Sequence, residues 1–280
     1  MTGSGGAARR VAPHRQCLLT SAARTPTMPA GAPGTAKPES TEMPCPLCHG
    51  DDLTPVGEKN SYHIVACRGC GLRHVGDMPT PEALGAYYAA YHGNVKNVRN
   101  AARKVARWWR RLLPLRWLAR GRTFLDVGCN TGFAVEAARR LGFTASGYDL
   151  SDEAIDYARQ TYPHCRFEHG TAQTAATEGR TYDAVLCSEM IEHLTELDGF
   201  ADALAKLVRP GGILYLTTPD AGRFRVPEDL LAWKEVCPPH HLIYFDRTQI
   251  RRFLESTGFQ VMGFMPVLHK PSIRVFARRV

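Results

Sequence analysis

The chain has 280 residues, 44% of them hydrophobic, which suffices for one sizeable core and a small appendage. No apolar run approaches the roughly 18 residues of a membrane-crossing helix, so a helical membrane protein is excluded. The net charge of +8 admits acidic partners, but the basic excess is concentrated in one stretch.

Residues 1–42 are rich in Gly, Ala, Pro, Ser and Thr and show no apolar periodicity. They read as a disordered tail, or as sequence upstream of a real start at Met28 or Met43. The basic, acid-poor composition would also suit an organellar transit peptide.

The character changes at residue 43. Cys45 and Cys48 form one C-x-x-C pair and Cys67 and Cys70 a second, with 18 residues between them. Two such knuckles present four thiolates at the spacing of a tetrahedral structural zinc site. Residues 43–78 therefore read as a zinc ribbon, with a strand at Tyr62–Ala66 between the knuckles. Four cysteine ligands leave no open position, so this zinc is structural. The other five cysteines, Cys17, Cys129, Cys165, Cys187 and Cys237, are scattered. With no apolar leader at the start, they predict a reducing, cytoplasmic setting.

Residues 79–122 link the ribbon to the main domain. Pro81 to Tyr91 starts as a helix, with Leu84, Tyr87, Tyr88 and Tyr91 on one face. No acid occurs between Glu82 and Asp126, while ten Lys or Arg lie from Lys96 to Arg122. Val105, Trp108, Trp109, Leu112 and Leu113 recur at helical spacing, and Pro114 ends the run. This basic amphipathic helix could pack on its own domain, touch a membrane surface through 99–118, or grip a phosphate-bearing substrate or nucleic acid. The sequence does not choose.

Residues 123–150 organise the rest. Phe124–Val127 is a short apolar strand carrying Asp126. Gly128 and Gly132 bracket a tight turn. Ala134, Val135, Ala137, Ala138 and Leu141 mark a helix that Gly142 closes. A second strand, Thr144–Tyr148, delivers Asp149. Glycines let backbone approach a ligand closely, the helix N-terminus offers free N–H groups, and the distal acid can accept ribose hydroxyls. Strand and helix go on alternating. Ser151 caps a helix that Pro163 closes, Phe167 lies in a third strand and Ala184–Cys187 form a fourth. Phe200–Leu207 is a helix, Ile213–Thr217 a fifth strand and Thr248–Thr257 a last helix. Gln260–Val267 and Ile273–Ala277 pair as a hairpin. The pattern predicts an α/β fold whose mostly parallel sheet is covered on both faces.

The run Asp126-Val-Gly128-Cys129-Asn130-Thr131-Gly132, with Asp149 beyond it, resembles the cofactor motif of class I S-adenosylmethionine-dependent methyltransferases. Asn130 stands where that motif usually has its middle glycine, and Asn tolerates left-handed backbone well. The resemblance implies a Rossmann-like seven-stranded sheet with an antiparallel last strand over residues 123–280. It implies S-adenosylmethionine held by Asp126, Gly128, Cys129, Asn130, Gly132, Phe133, Asp149, Leu150 and Ser188. A ribbon followed by this domain is similar to sugar C-methyltransferases, although their large C-terminal domain is absent here. The domain is also similar to ubiquinone-pathway O-methyltransferases.

Ligands of open parallel sheets sit at the carboxyl ends of the strands. After the fourth strand come Glu189, Glu192 and His193, expected on one helical turn. After the fifth comes an insert, about 219–240, of the kind that serves as a lid, and then His240 and His241. An imidazole is the natural general base for a hydroxyl acceptor, which makes His241, then His240, the catalytic candidates. Glu189, Glu192, His193 and His241 also resemble the divalent-metal site of the small-RNA 2′-O-methyltransferases. The expected substrate is a small hydroxyl-bearing molecule such as a sugar or natural-product intermediate. RNA ribose is the alternative, and a non-catalytic S-adenosylmethionine-binding protein a third reading.

Overall fold

The computed structural model describes residues 43–80, 82–85, 87, 98–267 and 270–280. The tail at 1–42 and most of the helix expected over Pro81–Tyr91 lie outside the described residues.

Two sheets form. In the smaller, β1 (Leu53–Lys59), β2 (Tyr62–Cys67) and β3 (Arg73–Val75) run as an antiparallel meander. Its fourth strand comes from far along the chain. β9 (Ile243–Tyr244) pairs antiparallel with β3, His74 opposite Ile243 and Arg73 opposite Tyr244. The two sheets thus share a core, in which Ile64, Leu72 and Val75 of the ribbon pack in one buried cluster with Leu242, Ile243, Tyr244 and Phe245.

The larger sheet has seven strands in the order β10-β11-β8-β7-β4-β5-β6. β4 (Thr123–Val127) lies inside the sheet, flanked in parallel by β5 (Thr144–Asp149) and β7 (Tyr182–Ser188). β6 (Arg166–His169) and β8 (Val208–Pro219) extend it in parallel. β11 (Ser272–Arg279) enters antiparallel between β8 and β10 (Phe259–Phe264). The mostly parallel sheet with its antiparallel last strand is thus present.

The basic helix, α1 (Ala101–Leu112), continues after Pro114 as a single turn, α2 (Leu115–Leu118). Val105, Leu112 and Leu115 are buried among Phe124, Ala134, Val135 and Ala138, so the apolar stripe packs on its own domain. Trp109 and Trp117 stay exposed. α3 (Phe133–Arg140) follows the glycine turn. α4 (Asp152–Thr161) is capped by Ser151, whose Oγ accepts from the Ala154 N–H. α5 (Ala172–Thr177), a short helix the sequence pattern did not mark, α6 (Asp198–Leu207) and α7 (Arg247–Ser256) complete the coat. At α7 a capping box closes the N-terminus, with Asp246 and Gln249 hydrogen-bonded to each other's backbone.

The insert over 219–240 is irregular apart from one turn at Leu230–Ala232, yet it is packed down. Leu230, Trp233, Val236 and Cys237 are buried. Lys59 donates to the Leu231 carbonyl and Asn60 to the Pro238 carbonyl, tying the insert to the ribbon.

Candidate active site

The carboxyl ends of β4, β5, β7 and β8 lie along one edge of the large sheet, and the residues singled out above gather there. Gly128 and Gly132 both have left-handed backbone, φ 77° and 79°, and Asn130 shares it at φ 47°. A side chain at Gly132 would meet the Phe167 ring at 2.8 Å, so glycine is required there for two reasons. Asp149 stands beside the turn. Its Oδ2 accepts from the Asn130 N–H at 2.7 Å and its Oδ1 from the Ser151 N–H at 2.9 Å. Each oxygen keeps a second lone pair for a ligand hydroxyl. Beyond it Leu150 is 62% exposed, leaving an apolar surface next to that carboxylate. Asp126 is buried beneath the turn. Burial pushes its carboxyl well above the usual range, and the charge of Asp149 pushes the same way. Cys129 is also buried, and burial raises its thiol strongly. Phe133 opens α3, with the Lys104 ammonium of α1 5.0 Å from its ring centroid, so the basic helix borders this turn.

The ends of β7 and β8 hold a second group. Ser188 and Thr217 share a hydrogen bond at 2.8 Å, and the Thr217 hydroxyl lies 3.1 Å from Glu189 Oε1. Lys270, which sequence patterns did not mark, sits 3.6 Å from Glu189 Oε2 and 4.0 Å from Glu235. Glu189 leaves β7 in left-handed backbone and lies outside the short 3₁₀ turn Ile191–His193, so the one helical turn expected for Glu189, Glu192 and His193 does not form. Glu192 is buried. Its Oε2 accepts from Thr218, while Oε1 has no hydrogen-bond partner among the described residues. Burial first, then the charge of Glu189, raises its carboxyl well above the ordinary range.

The structure gathers three histidines rather than the two acids and two histidines of the sequence pattern. His193, His240 and His241 each offer a ring nitrogen within 4.8 Å of the others. His193 Nδ1 contacts the His240 carbonyl, and His241 Nδ1 lies 2.8 Å from the Glu235 carbonyl. A carbonyl can only accept, so both rings carry a proton on Nδ1, and a neutral ring then has its lone pair on Nε2. Burial lowers the pKa of His241 well below the usual imidazole value, and the neighbouring rings lower it further, so it is neutral at neutral pH. The Leu242 N–H donates to the Glu192 carbonyl, joining the two segments directly.

The remaining group lies in the ribbon. Cys45, Cys48, Cys67 and Cys70 place their sulfurs within 4.8 Å of one another, with Cys45–Cys70 and Cys48–Cys67 both at 3.5 Å.

A family profile described as "Methyltransferase domain" matches residues 98–262, more than half of the chain. The chain belongs to the methyltransferase-domain family. The ubiquinone biosynthesis O-methyltransferase of Bartonella tribocorum is 27% identical over 157 residues, covering 52% of this chain and 64% of that one. The mitochondrial ubiquinone biosynthesis O-methyltransferase of Homo sapiens is 29% identical over 177 residues, 54% of this chain and 45% of that one. The chain spans roughly half to two thirds of these relatives' length. A solved SAM-dependent methyltransferase from Archaeoglobus fulgidus shares the fold, with a TM-score of 0.53 at 16% identity, over 69% of this chain and all of that one.

Proposed function

We propose that the protein transfers a methyl group from S-adenosylmethionine to a hydroxyl of a small molecule. The observation that carries this reading is the pairing of the Gly128–Gly132 turn with Asp149 at the ends of adjacent parallel strands, β4 and β5. Phe133, Leu150 and Ser188 border the same edge and complete the cofactor pocket. The acid supports a ribose, and the exposed Leu150 side chain gives an apolar face for a base, with the buried Asp126 carboxyl beneath the turn.

The acceptor lies toward the ends of β7 and β8, where the histidines gather and residues 219–240 form a wall. In-line transfer forms an O–CH3 bond as the S–CH3 bond breaks, the electron pair staying on sulfur, and the hydroxyl proton must leave. His241, then His240, handle that proton. A hydroxyl acceptor also agrees with the names of the two curated relatives.

The ribbon cysteines fit a structural zinc ion. A zinc–sulfur bond of about 2.3 Å places tetrahedral sulfurs about 3.8 Å apart, close to the spacings found.

The test is transfer of labelled methyl from S-adenosylmethionine into a native cell extract, split by a size filter. Label in the filtrate is expected. Label retained with macromolecules and released by nuclease would overturn the small-molecule reading in favour of nucleic acid.

A further inference from the structure

We propose that His193, His240 and His241 form a second metal site, separate from the cysteine cluster, that takes a divalent transition-metal ion of the zinc, cobalt or nickel class. The three rings come from two segments, the turn after β7 and the strand lead-in before β9, and they meet at mutual donor distances within 4.8 Å. Three features point to a ligand rather than to ordinary packing.

The first is the orientation of the rings. Nδ1 of His193 and of His241 each faces a backbone carbonyl, of His240 and Glu235. That is how metal-binding imidazoles are usually held, because the donated proton fixes the tautomer and leaves Nε2 to bind. The second is Glu192. Its buried Oε1 has no hydrogen-bond partner among the described residues and lies 4.0 Å from His193 Nε2. A cation held by the histidines would supply the positive charge that this oxygen faces without one. The third is scaffolding. β9 is stitched to β3 of the ribbon, and the Leu242 N–H is bonded to the Glu192 carbonyl, so both segments are fixed relative to each other.

The donor set chooses the class of ion. Three imidazoles suit zinc and its neighbours, whereas magnesium and calcium seek oxygen. Apart from Glu192 Oε1, the carboxylates of Glu189 and Glu192 are engaged elsewhere. Glu189 is held by Thr217 and Lys270, and Glu192 Oε2 by Thr218. Zinc at about 2.1 Å from each nitrogen wants donors about 3.4 Å apart, so closure on the ion takes a rotamer adjustment of about 1 Å. Three protein ligands leave one position of a four-coordinate ion for water or an acceptor oxygen. That last role rests on the methyltransferase reading. With the ion in place the histidines would hold metal instead of the proton, and a hydroxyl bound to the ion would pass its proton to water as its oxygen takes the methyl group.

The test is metal content of the full chain after exposure to excess zinc and desalting, with S-adenosylmethionine affinity measured on the same samples. The wild type is expected to hold two equivalents and His193→Gln and His240→Gln one each, with cofactor affinity unchanged within twofold. One equivalent in the wild type, or two in both variants, would overturn the proposal. Cobalt loading covers the case in which the variants do not fold. A second cobalt ion without thiolate-to-metal charge-transfer absorption supports the histidine site, and thiolate absorption from both ions would overturn it. Loss of S-adenosylmethionine binding by the wild type would instead refute the methyltransferase reading and leave the metal count to stand by itself.

Discussion

The ribbon and the large sheet are joined through the two-residue strand β9, yet they hold themselves together by different means. The large sheet is buried on both faces, and its strands β4, β7 and β8 carry almost unbroken runs of buried apolar residues. Hydrophobic burial at about 25 cal/mol per Å² is enough to organise such a layer. The ribbon has three short strands and a handful of wholly buried side chains, among them Cys45, Ile64, Leu72 and Val75. A unit that small needs a staple, and the four cysteines are placed to be one. One part of the molecule is held by side-chain area, while the other gathers four cysteines at a fixed point. Because β9 carries the chain onward from His240 and His241, the smaller unit positions the histidine segment beside the larger.

This contrast can be broken most forcefully at the cysteines. Cys67→Ser is expected to release the ribbon zinc and expose residues 53–75 to hydrogen exchange, with the 240–245 segment loosening alongside because β3 is its strand partner. Slow exchange at 240–245 in a metal-free variant would show that the ribbon does not hold the histidine segment.

The next largest effect belongs to the sheet's own coat. Leu112→Ala removes a fully buried side chain between α1 and the domain and is expected to cost about 2–5 kcal/mol in urea unfolding. It should leave the zinc content untouched. A cost near zero would detach the basic helix from the core.

Asp149→Ala should weaken S-adenosylmethionine binding by about 1–3 kcal/mol in calorimetry, the range for a hydrogen bond to a charged group. Unchanged affinity would remove Asp149 from the pocket.

The smallest effect concerns Glu136 on α3, whose buried carboxylate is held by Arg139 and Arg140 at 2.7 and 2.6 Å. Burial raises its pKa, but hydrogen bonds and charge from the two arginines more than offset this, and the net shift is downward. A depressed carboxylate stabilises the fold above its unfolded pKa of about 4.3 and loses that contribution as pH falls through the folded value. Glu136→Gln is therefore expected to cost about 1 kcal/mol at pH 7, with the difference from wild type vanishing below about pH 4. A difference that persists in acid would assign the effect to packing instead.

Much of the fold is written locally. The apolar runs at 124–127 and 184–187, the glycines at 128 and 132, the cap at Ser151 and the spaced cysteines each act over a few residues, so their patterns could be read without a structure. Residues that act across the chain carry no such signature. β9 is two residues long and pairs with a strand about 170 positions earlier, and nothing in Ile243–Tyr244 itself announces the partner. The histidine cluster was legible in part. His193, His240 and His241 each stand out, but their meeting depends on how the insert folds back, with the His240 N–H donating to the Cys237 carbonyl. Lys270 meets Glu189 and Glu235 only once the last hairpin is in place. α5 was missed because its six residues, AQTAAT, lack a long apolar stripe.

The most direct measurement is calorimetric titration of the purified chain with S-adenosylmethionine. Saturable binding at one site, weakened in Asp149→Ala with the ribbon zinc still in place, is the predicted result. A wild-type protein that is folded and zinc-loaded yet takes up no S-adenosylmethionine would contradict the account at its centre.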